Sequence, residues 1–297
     1  MLIADVITPK LCKTVMEYLK TLKNNNIIYS GTRNHKCPQQ QTPDFTMRFV
    51  FSGNENYSIG RRNLTIYPDS FLVLNKGTQY SSEIDCPFPV HSFAISFDKK
   101  FIDNFRNNDG PLAPFYGDSQ DCEFIETIYP LKGDMFFNVK QLKYHLDNGM
   151  EDENLINDYL GQCLTSYFKI YNEEIFQKTG RLNFFHKSTR VEILRRLNLA
   201  KEYIYTNYNR NIGLDELAEY SCLSVNHLLR TFKQAFNLTP HQFLIQLRLQ
   251  RAQVLLRNTN YPVGEVVNLI GFECPSSFIR LFREHFQTTP LKYRQTA

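Results

Sequence analysis

Apolar residues change their spacing three times along this chain. Leu11, Val15, Tyr18, Leu19 and Leu22 share one helical face, with Thr8 placed to cap it and Pro9 at its first position. Residues 1–26 therefore read as a lead-in helix. From about 27 to 135 the texture shifts to short β-rich runs broken by turn residues: "FTMRFVFSG", "NLTIYPDSFLVLNKGT" and "VHSFAISF". In the last of these His91, Phe93, Ile95 and Phe97 alternate with small or polar residues, the period of a half-buried strand. Strands at this spacing, with "PDS" and "NKG" as turns, predict a small sandwich or barrel.

Helical spacing returns over residues 136–180. In "ENLINDYLGQCLTSYFKIY" the residues Leu155, Ile156, Tyr159, Leu160, Cys163, Leu164, Tyr167, Phe168 and Tyr171 form a wide apolar stripe. Such a stripe has two readings: packing on its own sheet, or a dimer contact centred on Leu155, Tyr159, Cys163 and Tyr167. Residues 181–189 read as a linker after the break at Gly180, and Thr189 with Glu192 has capping-box spacing for the next helix.

The last third repeats itself. "LLRTFKQAFNLTPHQF" (228–243) and "FIRLFREHFQTTPLKY" (278–293) pair Leu228/Phe278, Arg230/Arg280, Phe232/Phe282, Lys233/Arg283, Phe236/Phe286, Thr239/Thr289, Pro240/Pro290 and Phe243/Tyr293, all at offset 50. A fixed period of this size marks a duplicated supersecondary unit. Upstream, Leu217/Val266, Ala218/Val267 and Cys222/Gly271 pair at offset 49, so one residue has been added between two short helices. A turn tolerates an insertion that would put a helix interior out of phase. Two helix-turn-helix motifs, at about 214–236 and 263–286, are the expected result.

In the second helix of each motif the outward stripe is chemically distinctive: Asn226, Leu229, Arg230 and Lys233, then Ser276, Ile279, Arg280 and Arg283. Arginine can bond guanine through two donors, asparagine can bond adenine, lysine can meet phosphate, and Leu229 or Ile279 can pack on thymine methyl groups. A solvated basic face would account for one such stripe; two in phase favour double-stranded DNA. Between them Thr239 caps a helix opened by Pro240, which over 17 residues to Leu256 spans about 26 Å.

Charge agrees with this. The chain of 297 residues carries a net +4, but from Lys187 onward 15 Lys and Arg face 8 Asp and Glu, against 19 and 22 before it. Only the C-terminal third is basic, as a polyanion partner requires. Seven cysteines are odd in number and lack C-x-x-C spacing, so no disulfide framework or zinc site is expected. The opening residues lack the features of a secretory signal and no long apolar run occurs, so a cytoplasmic protein without a membrane span is expected.

The run Arg248 to Leu256 (R-L-x-x-A-x-x-L-L), Gly271–Phe272, and the closing F-x-x-x-F…P-x-x-Y-R from Phe282 to Arg294 together resemble the C-terminal DNA-binding domain of AraC-type transcription regulators. The resemblance covers about the last 110 residues, 190–297. It departs from the family at Cys222, where glycine is usual, and at Leu229 and Ile279, which are often polar. "NLTIYPDSFLVLNKGTQYSSEI" resembles, more weakly, the cupin-like effector domain that precedes many such regulators. The resemblance implies an α+β bacterial protein: an N-terminal cupin-like β-barrel with flanking helices over 27–135, then an all-α domain. It also implies a homodimer acting with RNA polymerase and modulated by a small-molecule effector. His35 and His91 offer no H-x-H, so no metal or cofactor is expected. Phe45, Phe49, Tyr57, Tyr67, Phe71, Tyr80 and Phe93 are either the lining of an effector pocket or ordinary barrel core. The competing reading is a cupin-type enzyme or ligand-binding protein with an accessory helical module; no nucleophile, phosphate loop or metal spacing supports an enzyme.

Overall fold

The computed structural model describes residues 17–33, 37–84, 89–108 and 124–296. The chain divides into two compact units that meet in sequence between Lys178 and Thr179.

The first unit carries ten strands: β1 (Tyr18–Thr21), β2 (Ile27–Arg33), β3 (Cys37–Gln41), β4 (Phe45–Ser52), β5 (Glu55–Ile59), β6 (Arg62–Ile66), β7 (Ser70–Leu74), β8 (Gln79–Glu83), β9 (Val90–Phe97) and β10 (Ile128–Pro130). They form two antiparallel sheets, in the orders β1-β2-β9-β4-β7-β10 and β3-β8-β5-β6. Among the described residues neither sheet closes on itself. The expected closed barrel is thus two open sheets facing one another, and one core holds Val50, Leu72, Leu74 and Val90 of the larger with Tyr57, Ile59, Leu64, Ile66 and Tyr80 of the smaller.

Alternation along each strand then decides what lies on the far face. Phe45, Phe49, Phe71 and Phe93 point away from the small sheet, and on that side Tyr167 of the helix α3 (Glu153–Tyr171) lies 5.4 Å from Phe45, 6.4 Å from Phe71 and 5.6 Å from Tyr129. The helices α1 (Lys99–Asn108) and α2 (Gly133–Asp147) complete the unit, α2 packing on α3, where Asn138 donates to the Gln162 carbonyl and the Ser166 hydroxyl.

Three expectations are corrected here. Tyr18–Thr21 is an edge strand, not helix: each residue pairs with β2, Tyr18 opposite Ser30 through Thr21 opposite Ile27, and this ladder overrides the local helical period. The remainder of the lead-in segment, with Thr8, Pro9, Leu11 and Val15, lies outside the described residues, as does His35. The apolar stripe of α3 is spent largely inside the unit, since Cys163 and Tyr167 are both fully buried; of the stripe, Leu155, at 42%, and parts of Tyr159 and Tyr171 remain outward. The seven rings named for a pocket do not converge: Phe45, Phe49, Phe71 and Phe93 lie on the far face of the larger sheet, Tyr57 and Tyr80 lie between the sheets, and Tyr67 sits in the turn bonded to Ser70.

After a short helix, α4 (Lys178–Arg181), the second unit is helical: α5 (Lys187–Asn207), α6 (Leu214–Tyr220), α7 (Val225–Phe236), α8 (Pro240–Asn258), α9 (Val263–Leu269), α10 (Pro275–Phe286) and α11 (Pro290–Thr296). α5 starts two residues before Thr189, so the expected capping box there does not form. At α8 it does: Thr239 accepts from the Gln242 amide while Gln242 accepts from that of Thr239. Among the described residues no helix is long and apolar enough to cross a membrane.

The sequence repeat reappears as geometry. Phe232, Phe236 and Phe243 form a triad with centroid spacings of 4.4, 5.7 and 6.0 Å; Phe282, Phe286 and Tyr293 form its copy at 4.6, 5.8 and 6.0 Å. Both first helices end alike. The amides of Cys222 and Leu223 bond the Glu219 and Ala218 carbonyls, and those of Gly271 and Phe272 bond Asn268 and Val267, each bond displaced by the same 49 residues. Cys222 and Gly271 accordingly both take positive φ, 52° and 78°. A side chain is strained there. Replacing Cys222 with glycine should raise the stability of the helical unit by about 0.5–1 kcal/mol, relief of left-handed strain exceeding the added freedom of the unfolded chain. Urea unfolding followed by circular dichroism checks this, and an unchanged or lower midpoint would contradict it.

Candidate nucleic-acid interface

The second helix of each motif is oriented by what it buries. Leu228, Thr231, Phe232 and Ala235 of α7, and Phe278 and Phe282 of α10, are completely inaccessible. Their burial turns the opposite face to solvent. Asn226, Arg230 and Lys233 are exposed there with Leu229 half-buried between them, and Ser276, Ile279, Arg280 and Arg283 are all exposed on α10. Ile279 leaves 41% of its surface in water, which its own core does not require. The eight residues named from the sequence thus form two outward stripes in equivalent frames.

The two helix starts differ. Ser224 caps α7 by accepting from the His227 amide, whereas Cys274 takes that place at the head of α10. The exposed Cys274 thiol lies 3.0 Å from the Ser276 hydroxyl, and that contact, together with hydrogen bonding to Ser277, lowers its pKa to about 7. Cys163, by contrast, is pushed up to about 12 by burial. On α7, burial and then the neighbouring Arg230 and Arg196 hold the His227 imidazole below its usual range. Positive charge on this stripe therefore comes from Arg230 and Lys233 rather than from His227.

Arg280 is engaged one turn along its own helix, where Nη1 donates to Glu284 at 3.0 Å with both side chains more than half exposed. An exposed pair at this spacing contributes only about 0.3–0.5 kcal/mol. Glu284, Gln287 and Thr289 extend the α10 stripe into an open depression lined also by Ser276, Ile279, Arg280 and Arg283. These three were not singled out from sequence. Gln287 carried the available signal: it sits in the left-handed cap after α10 as Asn237 does after α7, fifty residues earlier.

A family model described as a helix-turn-helix domain matches residues 217–296, which span both second helices, α8 and the closing helix. The chain is also 28% identical over 256 residues to the Msm operon regulatory protein of Streptococcus mutans, covering 85% of this chain and 84% of that one. To the raffinose operon transcriptional regulatory protein RafR of Pediococcus pentosaceus it is 29% identical over 289 residues, 93% and 97% of the two chains. Residues 217–296 are an AraC-type helix-turn-helix domain, and the chain is a DNA-binding transcription regulator. The lactose operon transcription activator of Staphylococcus xylosus is similar at 26% identity over 249 residues, 84% of this chain and 82% of that one. Among the described residues no cluster of His, Cys, Asp or Glu could hold a metal ion.

Arg230→Ala or Arg280→Ala should each cost about 1–3 kcal/mol on the preferred duplex and relax preference at one or two base pairs. Binding measured on a panel of single-substitution duplexes checks this. A loss equal on every sequence would demote that arginine to a phosphate contact.

Proposed function

We propose that this AraC-type regulator lays α7 and α10 in two successive major grooves on one face of a duplex. The duplication carries the reading: two aromatic cores in the same frame turn two stripes of the same chemistry outward. The connecting α8, 19 residues long, spans about 28 Å. The packed motifs extend beyond its ends, toward the roughly 34 Å turn of B-DNA. In this reading Arg230 and Arg280 meet guanine, Asn226 meets adenine, Lys233, Arg283 and Ser276 meet phosphate, and Leu229 and Ile279 meet thymine methyl groups.

The first unit is read as a cupin-like effector domain, with the small-molecule contact between its sheets rather than on the face toward α3. Polar groups are buried there: Arg48 donates to the Tyr80 hydroxyl, which donates to Gln40 at 2.6 Å, and Ser92 donates to the buried Glu55 at 2.8 Å. Tyr57 packs beside them, its hydroxyl pushed well above its usual pKa by burial and by Glu55. A buried set of this kind can orient a polar ligand. Homodimerisation is placed on the outward face of α2 and the start of α3, where Phe136, Phe137, Tyr144 and Leu155 are each more than 40% exposed. Pairing two readers raises their effective concentration on a repeated operator. By the names of relatives that match most of its length, the chain is read as a cytoplasmic activator of a carbohydrate operon that works with RNA polymerase.

Selection of duplexes from random DNA by the full chain should enrich one motif. Binding of that motif should weaken at least about a hundredfold between 50 and 200 mM salt, as release of counterions from four or more phosphates requires. No enrichment, or a flat salt response, would contradict the reading.

A further inference from the structure

The turn that follows α5 is held from three sides. Arg248, in the middle of α8 and 8% exposed, donates from Nε to the Tyr208 carbonyl at 2.7 Å and from Nη2 to the Arg210 carbonyl at 2.8 Å. Its guanidinium lies 5.6 Å from the Phe272 ring, which packs 5.5 Å from Phe278 of α10. Asn209, between the two bonded carbonyls, abuts the turn of the second motif so closely that a Cβ on Gly271 would fall 2.5 Å from its carbonyl carbon and oxygen. On the remaining side Arg210 donates to Glu216 of α6 at 2.6 Å, and Tyr203 bonds the same carboxylate.

One short turn therefore touches the first motif through Glu216, the connecting helix through Arg248, and the second motif through Gly271. Only a planar fork reaches two carbonyls set two residues apart, and a guanidinium buried in this grip is withdrawn from the surface that meets DNA. Burying it is costly, and burial does hold Arg248 below the usual arginine range. Neither reading stripe includes it.

We propose that the Tyr208–Asn211 turn, gripped by Arg248, is the gauge that sets the distance and phase between α7 and α10, which makes Arg248 a positioning residue for two-groove recognition. The proposal rests on the two-groove reading. A chain without the grip keeps both reading stripes intact but lets one motif shift against the other. Each groove contact survives singly. What is lost is the advantage of making both at once, because two modules gain from connection only when the connection matches the span.

The test uses the full chain and a duplex selected by it, in three forms: intact, with one base pair inserted between the two groove segments, and with one segment scrambled. Arg248→Met should fold, as judged by circular dichroism, and bind the scrambled probe within about twofold of the unaltered chain, yet lose about tenfold or more on the intact site. Its preference for the intact over the inserted form should shrink as well. Arg248→Lys, which keeps the stem and charge but not the fork, should fall between. An Arg248→Met chain that keeps both the affinity and the spacing preference overturns the proposal, and so does an equal loss on all three probes, which would mean general destabilisation. Should Arg248→Met not fold, Arg248→Lys decides, and an unchanged ratio of intact to inserted binding overturns the gauge. An unaltered chain that binds the intact site no better than the scrambled one overturns the two-groove reading and the gauge with it.

Discussion

Burial of Phe232 and Phe282 is the constraint on which the C-terminal unit turns. Each ring is fully enclosed and each sits at the centre of an aromatic triad that also includes the first turn of the following helix. Removing either would open a cavity costing about 3–5 kcal/mol, a large fraction of a domain's stability. Because the rings cannot leave, the helices that carry them cannot rotate. The residues two places before them lie across the helix axis and have no option but solvent, and there Arg230 and Arg280 are found. Recognition chemistry is thus aimed by the hydrophobic core rather than by any contact of its own.

The same logic accounts for the uneven allocation of surfaces in the first unit. A sheet has two faces, and here the larger sheet uses both: one against the smaller sheet, one against α3. The aromatic residues of α3 go into the second of these, so its wide stripe is consumed within the chain. Polar groups such as Glu55 and Ser92 are tolerated between the sheets only because they bond one another. A solvent-filled or ligand-filled space between the sheets would suit them equally well, which is why the effector reading is placed there.

Legibility in the sequence followed the range of the interactions. The duplicated motifs were readable because their cores are built from residues within one or two helical turns, so the aromatic and basic periods survive in the letters. Their left-handed turns were readable too: Gly271 announces one, and Cys222 occupies the equivalent position in spite of its side chain. The strand Tyr18–Thr21 was not, since nothing local distinguishes it from a helix and its partners lie in β2. Neither was the separation of Phe45 from Tyr57, because alternation gives two faces but does not say what covers each. Arg248 was visible as part of a family pattern, but its partners are backbone carbonyls 38 and 40 residues away, and a carbonyl leaves no trace in the choice of residue.

The claim that both reading helices engage one duplex is tested most directly by methylation interference on the selected site, which reports guanines whose N7 must be free for binding. Two clusters of interfering guanines should emerge, centred about ten base pairs apart on one face of the helix. A single cluster, or two clusters about half a helical turn out of phase, would contradict the account.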